Sequence, residues 1–160
     1  MPTHSIDPVF DNRSTILILG SFPSVRSREV GFYYGHPQNR FWQVLAAVFG
    51  EDVPRTIEQK KELLYRNHIA LWDVASSCEI QGSSDQSMKD VTANDLTVIL
   101  SAAPIKSIFL NGKAAEKYYQ RLILPRLGRS AITLPSTSPA NAAWTLDHLV
   151  EAWGAIKNSL

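Results

Sequence analysis

A chain of 160 residues, 44% hydrophobic and 19% charged, is long and apolar enough to bury one core, and this composition excludes disorder and fibrous repeats. No apolar run approaches the roughly 20 residues of a membrane helix, no secretory leader pattern opens the chain, and the single Cys78 excludes an internal disulfide or a thiolate cluster built from this chain alone. A cytoplasmic location and one domain over residues 1–160 are therefore expected. The formal net charge of +1 conceals an uneven spread: six basic residues against one acidic between Lys106 and Arg129, and four acids against one lysine between Glu79 and Asp95. Such a basic stretch suits either a phosphate-facing surface or a solvated helix face.

In chain order, the first element is an apolar strand, Ile16–Leu19, which stops at Gly20 in Gly20-Ser21-Phe22-Pro23-Ser24. The segment Tyr33-Tyr34-Gly35-His36-Pro37-Gln38-Asn39-Arg40-Phe41-Trp42 follows. Its aromatic, amide and basic groups are the types needed to hold a flat polar base, so a nucleobase pocket is expected beyond this strand. Phe41, Val44, Leu45 and Val48 are spaced i, i+3, i+4, i+7 for a helix, with Pro37 suited to its first turn and Asn39 and Arg40 near its start. Phe41, Trp42 and Phe49 on this stripe are read as core.

A second helix is expected from about Arg55 to Asn67, then a strand, Ile69–Trp72, closed by Asp73, a structural residue on this reading. Ser76–Ser87, rich in serine, glycine and charge, reads as the longest loop. Thr92 and Asp95 are spaced as a capping box before Leu96, Ile99, Leu100 and Ala103. A strand at Ile108–Leu110, a helix opened by Gly112 and running through Tyr119, and a strand at Ala131–Leu134 follow. Ser138-Pro139 has the N-cap and first-turn signature of a last helix with a stripe of Leu146, Leu149, Val150 and Trp153. Strands alternating with helices predict an α/β fold, a three-layer α/β/α sandwich around a central, mainly parallel four-stranded sheet.

In such sheets the ligand crevice lies beyond the carboxyl ends of the strands. Three segments should converge there: Gly20–Ser24, Asn111-Gly112-Lys113 and Pro135-Ser136-Thr137-Ser138-Pro139. Each alone is an ordinary tight turn; together they predict a site whose backbone approaches a ligand closely. His4, His36, His68 and His148 lack metal-ligand spacing. No Gly-x-Ser-x-Gly elbow supports a serine hydrolase acting through Ser21 or Ser136.

The Gly20–Ser24 loop, the Gly35–Trp42 segment and Leu134-Pro135-Ser136-Thr137-Ser138-Pro139-Ala140-Asn141, in this order, resemble the uracil-DNA glycosylase superfamily, nearest to its hypoxanthine-DNA (deoxyinosine) glycosylase branch. The resemblance runs from about Ile16 to Trp153. It implies a monofunctional enzyme of base excision repair that flips a deaminated base out of double-stranded DNA and hydrolyses its N-glycosidic bond, with no cofactor and no metal. Hypoxanthine is the implied base, and enzymes acting on abasic sites are the implied downstream partners. Many superfamily members place Asn or Asp in the first loop where this chain has Phe22, and His or Asn where it has Ser136. The usual water-activating group is therefore absent.

The resemblance transfers the catalytic asparagine to Asn39, either orienting water below the sugar or holding the departing base; helix capping is the alternative for the residue read alone. Phe22 is the expected base-stacking ring, with Tyr33 and Tyr34 as further walls. Ser21 and Asn111 are expected base contacts. His36, Lys113, Ser136, Thr137, Ser138, Ala140 and Asn141 are expected to meet DNA, with Ala140 standing where relatives carry a leucine wedge. Two alternatives share the fold: a uracil or mismatch-specific glycosylase, and a nucleic-acid-binding module without chemistry.

Overall fold

The computed structural model describes residues 6–22, 31–79 and 89–159. Its centre is a sheet of four parallel strands in the order β2-β1-β5-β6, formed by β1 (Ile16–Gly20), β2 (Ile69–Asp73), β5 (Ser107–Asn111) and β6 (Ile132–Leu134). Every residue of β1 and β2 is buried. Side chains on a strand alternate between faces, so continuous burial means that both faces of the sheet are covered. The predicted α/β class and parallel sheet hold, and the four strands fall where their apolar runs lie.

The helices are α1 (Phe41–Phe49), α2 (Ile57–Arg66), α3 (Thr97–Leu100), α4 (Lys113–Tyr118), α5 (Leu124–Leu127) and α6 (Leu146–Trp153). A π-helical turn, Tyr119–Ile123, joins α4 to α5. Burial of Phe41, Trp42, Val44, Leu45 and Val48 on α1 matches its spacing, and the Trp153 ring on α6 packs edge-to-face with the Phe41 ring, centroids 5.7 Å apart. The start of α2 is a reciprocal capping box between Thr56 and Gln59. Ahead of the sheet, Val9 pairs with Leu71 in both directions, along the outer side of β2. Among the described residues no helix is long and apolar enough to cross a membrane.

Three local expectations are corrected. Ser76–Glu79 belongs to β3 (Ala75–Glu79), antiparallel to β4 (Lys89–Ala93), so the segment read as a loop begins with a hairpin strand; residues 80–88 lie outside the described ones. Thr92 is in β4, and Asp95 alone receives the Thr97 N–H at 3.1 Å. Helix α6 begins at Leu146, where the Thr145 hydroxyl accepts from the His148 N–H, and not at Ser138-Pro139, whose serine caps the nearer Ala140 N–H. Leu146 is consequently exposed, while Leu149 and Trp153 are fully buried.

A candidate active site at the carboxyl edge of the sheet

The register pairs Gly20 with Asp73 and Asn111 with Leu134, so one sheet edge carries the ends of all four strands. Strand order reverses between β1 and β5, the position where open parallel sheets form their crevice. A cleft of about 710 Å³ opens there, lined by Ser21 after β1, Asn111 and Lys113 after β5, and Ser136, Ser138 and Asn141 after β6. Gly112 lets these walls close: its φ is +94°, and a Cβ would stand 2.9 Å from the Ser136 Cβ.

Behind the cleft, Thr137 is fully buried and joins two asparagines. Its hydroxyl receives the Asn111 Nδ2–H at 3.0 Å and donates to Asn39 Oδ1 at 2.9 Å. Its backbone N–H donates to Asn111 Oδ1 at 3.1 Å, and its carbonyl accepts from the Arg40 N–H. Asn39 Oδ1 also accepts the Phe41 N–H at 2.9 Å. This capping bond at the start of α1 coexists with the bond to Thr137.

The last loop is held from within and from Arg40, the residue before α1. Ser136 Oγ accepts from Ser138 N–H, Ser138 Oγ accepts from Ala140 N–H, and Asn141 Nδ2 donates to the Ser136 carbonyl. Arg40 donates to the carbonyls of Asn141 and Trp144. Pro135 is anchored by the Trp153 indole N–H at 2.9 Å.

The β2 side is built differently. A Cβ on Gly20 would lie 2.5 Å from Asp73 Oδ1 and 2.9 Å from the Tyr34 hydroxyl oxygen, so the glycine makes room for both groups. Tyr34 has φ +54°, a left-handed conformation costly for a bulky residue, and its ring stacks on Phe41 at 4.1 Å. Burial first, and the Asp73 charge second, push the Tyr34 hydroxyl far above the ordinary tyrosine range, with the Asn111 amide partly offsetting them. Tyr34 therefore stays neutral.

This architecture has known counterparts. The family model of the uracil DNA glycosylase superfamily matches residues 8–157. The chain belongs to the uracil DNA glycosylase superfamily. It is 38% identical over 143 residues to a hypoxanthine DNA glycosylase of Methanosarcina barkeri, covering 88% of this chain and 89% of the relative. It is 35% identical over 150 residues to a hypoxanthine DNA glycosylase of Methanosarcina acetivorans, covering 92% and 93%. A solution NMR structure of a candidate uracil DNA glycosylase from Methanosarcina acetivorans superposes with a TM-score of 0.81 at 31% identity, covering 98% of this chain and 99% of that one.

Within this superfamily member, the predicted site residues divide into two groups. Ser21, Asn111, Lys113, Ser136, Ser138, Ala140 and Asn141 line the cleft; Thr137, expected to meet DNA, is instead fully buried behind it and ties Asn39 to its wall. Tyr33 is elsewhere: it is 2% exposed, and its hydroxyl donates toward the carbonyls of Ile6 and Asp7, so it fastens the N-terminal segment. Phe22 is 7% exposed and part of the hydrophobic core; Pro23 and Ser24 lie outside the described residues. His36 is exposed, with Nδ1 accepting the Gln38 N–H and its carbonyl accepting the Asn39 N–H, which shapes the turn that presents Asn39.

Of the six basic residues from Lys106 to Arg129, Lys113 alone lines this cleft. Lys106 precedes β5, one strand length away, and Arg129 donates to the Ile105 carbonyl at that opposite edge. The basic run is thus divided between two edges. Sequence reasoning missed two contributors, Arg40 and Trp144. Trp144 is 38% exposed on the cleft rim, and a tryptophan three residues beyond the Ala140-Asn141 pair was the available signal.

Proposed function

We propose that this chain is a monofunctional DNA glycosylase that removes a deaminated base, preferentially hypoxanthine from deoxyinosine, by hydrolysis, leaving an abasic site for base excision repair. The observation that carries the reading is the meeting of Asn39, from the turn before α1, with Thr137 and Asn111 at the carboxyl edge. Membership of the superfamily and the names of the two Methanosarcina relatives support both reaction and base. Double-stranded DNA bearing the deaminated base is the partner.

The cleft offers hydroxyls, amides, one lysine and the Glu116 carboxylate. Catalysis on this reading rests on extruding the nucleotide and stabilising charge as the glycosidic bond stretches. Lys113 meets a phosphate, the last loop follows the strand, and Trp144 offers an aromatic face for stacking that Ala140 lacks.

End-labelled duplexes carrying one deoxyinosine, deoxyuridine or deoxyxanthosine, treated with alkali after incubation, test this. Cleavage chiefly at deoxyinosine is expected. Cleavage chiefly at deoxyuridine would replace the substrate, and binding without cleavage of any strand would leave a recognition module. In the active protein, Asn39→Ala should slow single-turnover excision at least about tenfold without unfolding it. Wild-type rates would remove Asn39 from the mechanism.

A further inference from the structure

The hydrogen bonds around Asn39 dictate which of its two polar atoms a bound nucleotide meets. A backbone N–H can only donate, so the Phe41 N–H identifies the Asn39 atom facing it as Oδ1, and the Thr137 N–H does the same for Asn111 Oδ1. Asn111 Nδ2 must then donate to Thr137 Oγ1, and the Thr137 proton is left to point at Asn39 Oδ1. The relay runs one way, from Asn111 through Thr137 to Asn39. Both acceptor sites of Asn39 Oδ1 are consequently taken by the protein. Its NH2 group has no hydrogen-bond partner among the described residues, and the side chain is half-buried rather than enclosed.

We infer that Thr137 is a positioning residue that presents the Asn39 amide as a hydrogen-bond donor, and that Asn39 acts on the departing base rather than on the attacking water. This rests on the glycosylase reading above and decides between the two roles left open for Asn39. When the bond from C1′ to N9 breaks, its electron pair passes to the purine, and the sugar becomes an oxocarbenium ion. The purine anion spreads its charge over N3, N7, N9 and O6, each of which accepts a hydrogen bond. An amide N–H held in place stabilises that charge as it forms. Water adds its oxygen to C1′, one of its protons is lost to solvent, and the purine takes one proton, so hypoxanthine and an abasic sugar are the whole of the products. No protein group has to be a base, in keeping with Phe22 standing where many superfamily members carry Asn or Asp and Ser136 where they carry His or Asn.

Substitution separates the two roles. Asn39→Asp keeps an oxygen for Thr137 and for the Phe41 N–H but replaces the donor with a charged acceptor. If Asn39 donates to the base, Asn39→Asp should excise hypoxanthine at least as slowly as Asn39→Ala, ten or more times below wild type by the usual effect of losing one such donor, about 100-fold. If Asn39 instead accepts from water, Asn39→Asp should match or exceed wild type, and the inference is overturned.

For Thr137, the isosteric Thr137→Val removes the relay, and Thr137→Ser keeps the hydroxyl. The expected pattern is excision slowed at least fivefold, on the order of 1 kcal/mol of barrier, in Thr137→Val and restored by Thr137→Ser. Affinity for a duplex carrying uncleavable 2′-fluoro-deoxyinosine should stay within about threefold, since a transition-state interaction affects rate rather than ground-state binding. The Asn39 and Asn111 side-chain amide signals in a 1H–15N spectrum should shift together in Thr137→Val and return in Thr137→Ser. Unshifted Asn39 signals, or wild-type excision by Thr137→Val, would defeat the positioning role even with Asn39 essential. A wild-type protein inert on deoxyinosine, deoxyuridine and deoxyxanthosine would instead defeat the glycosylase reading, and the donor role with it.

Discussion

The two walls of the carboxyl edge are organised by opposite means. On the β2 side a glycine admits a carboxylate and a phenol into space that one methyl group would fill, and the Tyr34 backbone takes a left-handed conformation to reach it. On the β5–β6 side, neutral amides and one hydroxyl are joined by side-chain hydrogen bonds of 2.9 and 3.0 Å that run in one direction, from Asn111 through Thr137 to Asn39. The first wall is specified by volume and the second by direction. A change of size should therefore damage one wall, and a change of polarity at constant size should damage the other.

The largest effect expected from breaking this contrast is at Gly20. Gly20→Ala forces a methyl against Asp73 Oδ1 and the Tyr34 oxygen, and should cost about 3 kcal/mol, at the upper end of core overpacking. Chemical denaturation measures it; a loss below about 1 kcal/mol would mean that the wall yields and is not volume-specified.

Thr137→Val is the matching change of polarity, and its size is conserved. It leaves Asn111 Nδ2 and Asn39 Oδ1 each short of one partner, so a smaller loss of about 1–2 kcal/mol is expected. Unchanged stability would mean that water replaces the hydroxyl on the directional wall.

The smallest effect concerns pH. Burial first, and Asp73 second, hold the Tyr33 and Tyr34 hydroxyls above the ordinary value of 10.0. Both keep their protons when folded, while the unfolded chain loses them near pH 10. Their contribution is complete below that pH and is lost as pH rises beyond it. Melting temperatures should fall above pH 10, and less steeply in Tyr34→Phe; an equal fall in both proteins would remove Tyr34 from the account.

The sheet was legible because buried parallel strands are short apolar runs, and Ile16–Leu19, Ile69–Trp72 and Ile108–Leu110 are such runs. The β3–β4 hairpin was not: Ala75-Ser76-Ser77-Cys78-Glu79 has little apolar alternation, and its register with Lys89–Ala93 is irregular. Ser138-Pro139 carried a helix-start signal that the loop spends on its own backbone, whereas Thr145 is the cap in use. At the site, the family resemblance pointed to Asn39 and to the last loop, which the structure joins through Thr137. What Thr137 does was not, because its bond to Asn39 joins residues 98 positions apart. Tyr33 was misleading for the same reason: an aromatic beside a site segment is a base wall or a core residue depending on a contact with Ile6 and Asp7, 26 and 27 positions away.

Arg40 has a consequence for the energetics of recognition. Its backbone N–H grips Thr137, and its guanidinium grips the carbonyls of Asn141 and Trp144, so the turn carrying Asn39 and the loop after β6 are tied into one body. Ordering a flexible loop during association would cost about 1–2 kcal/mol for each residue fixed. Here that entropy is surrendered during folding instead, and under the function proposed above the free energy of gripping a strand would be left for the work of opening a base pair.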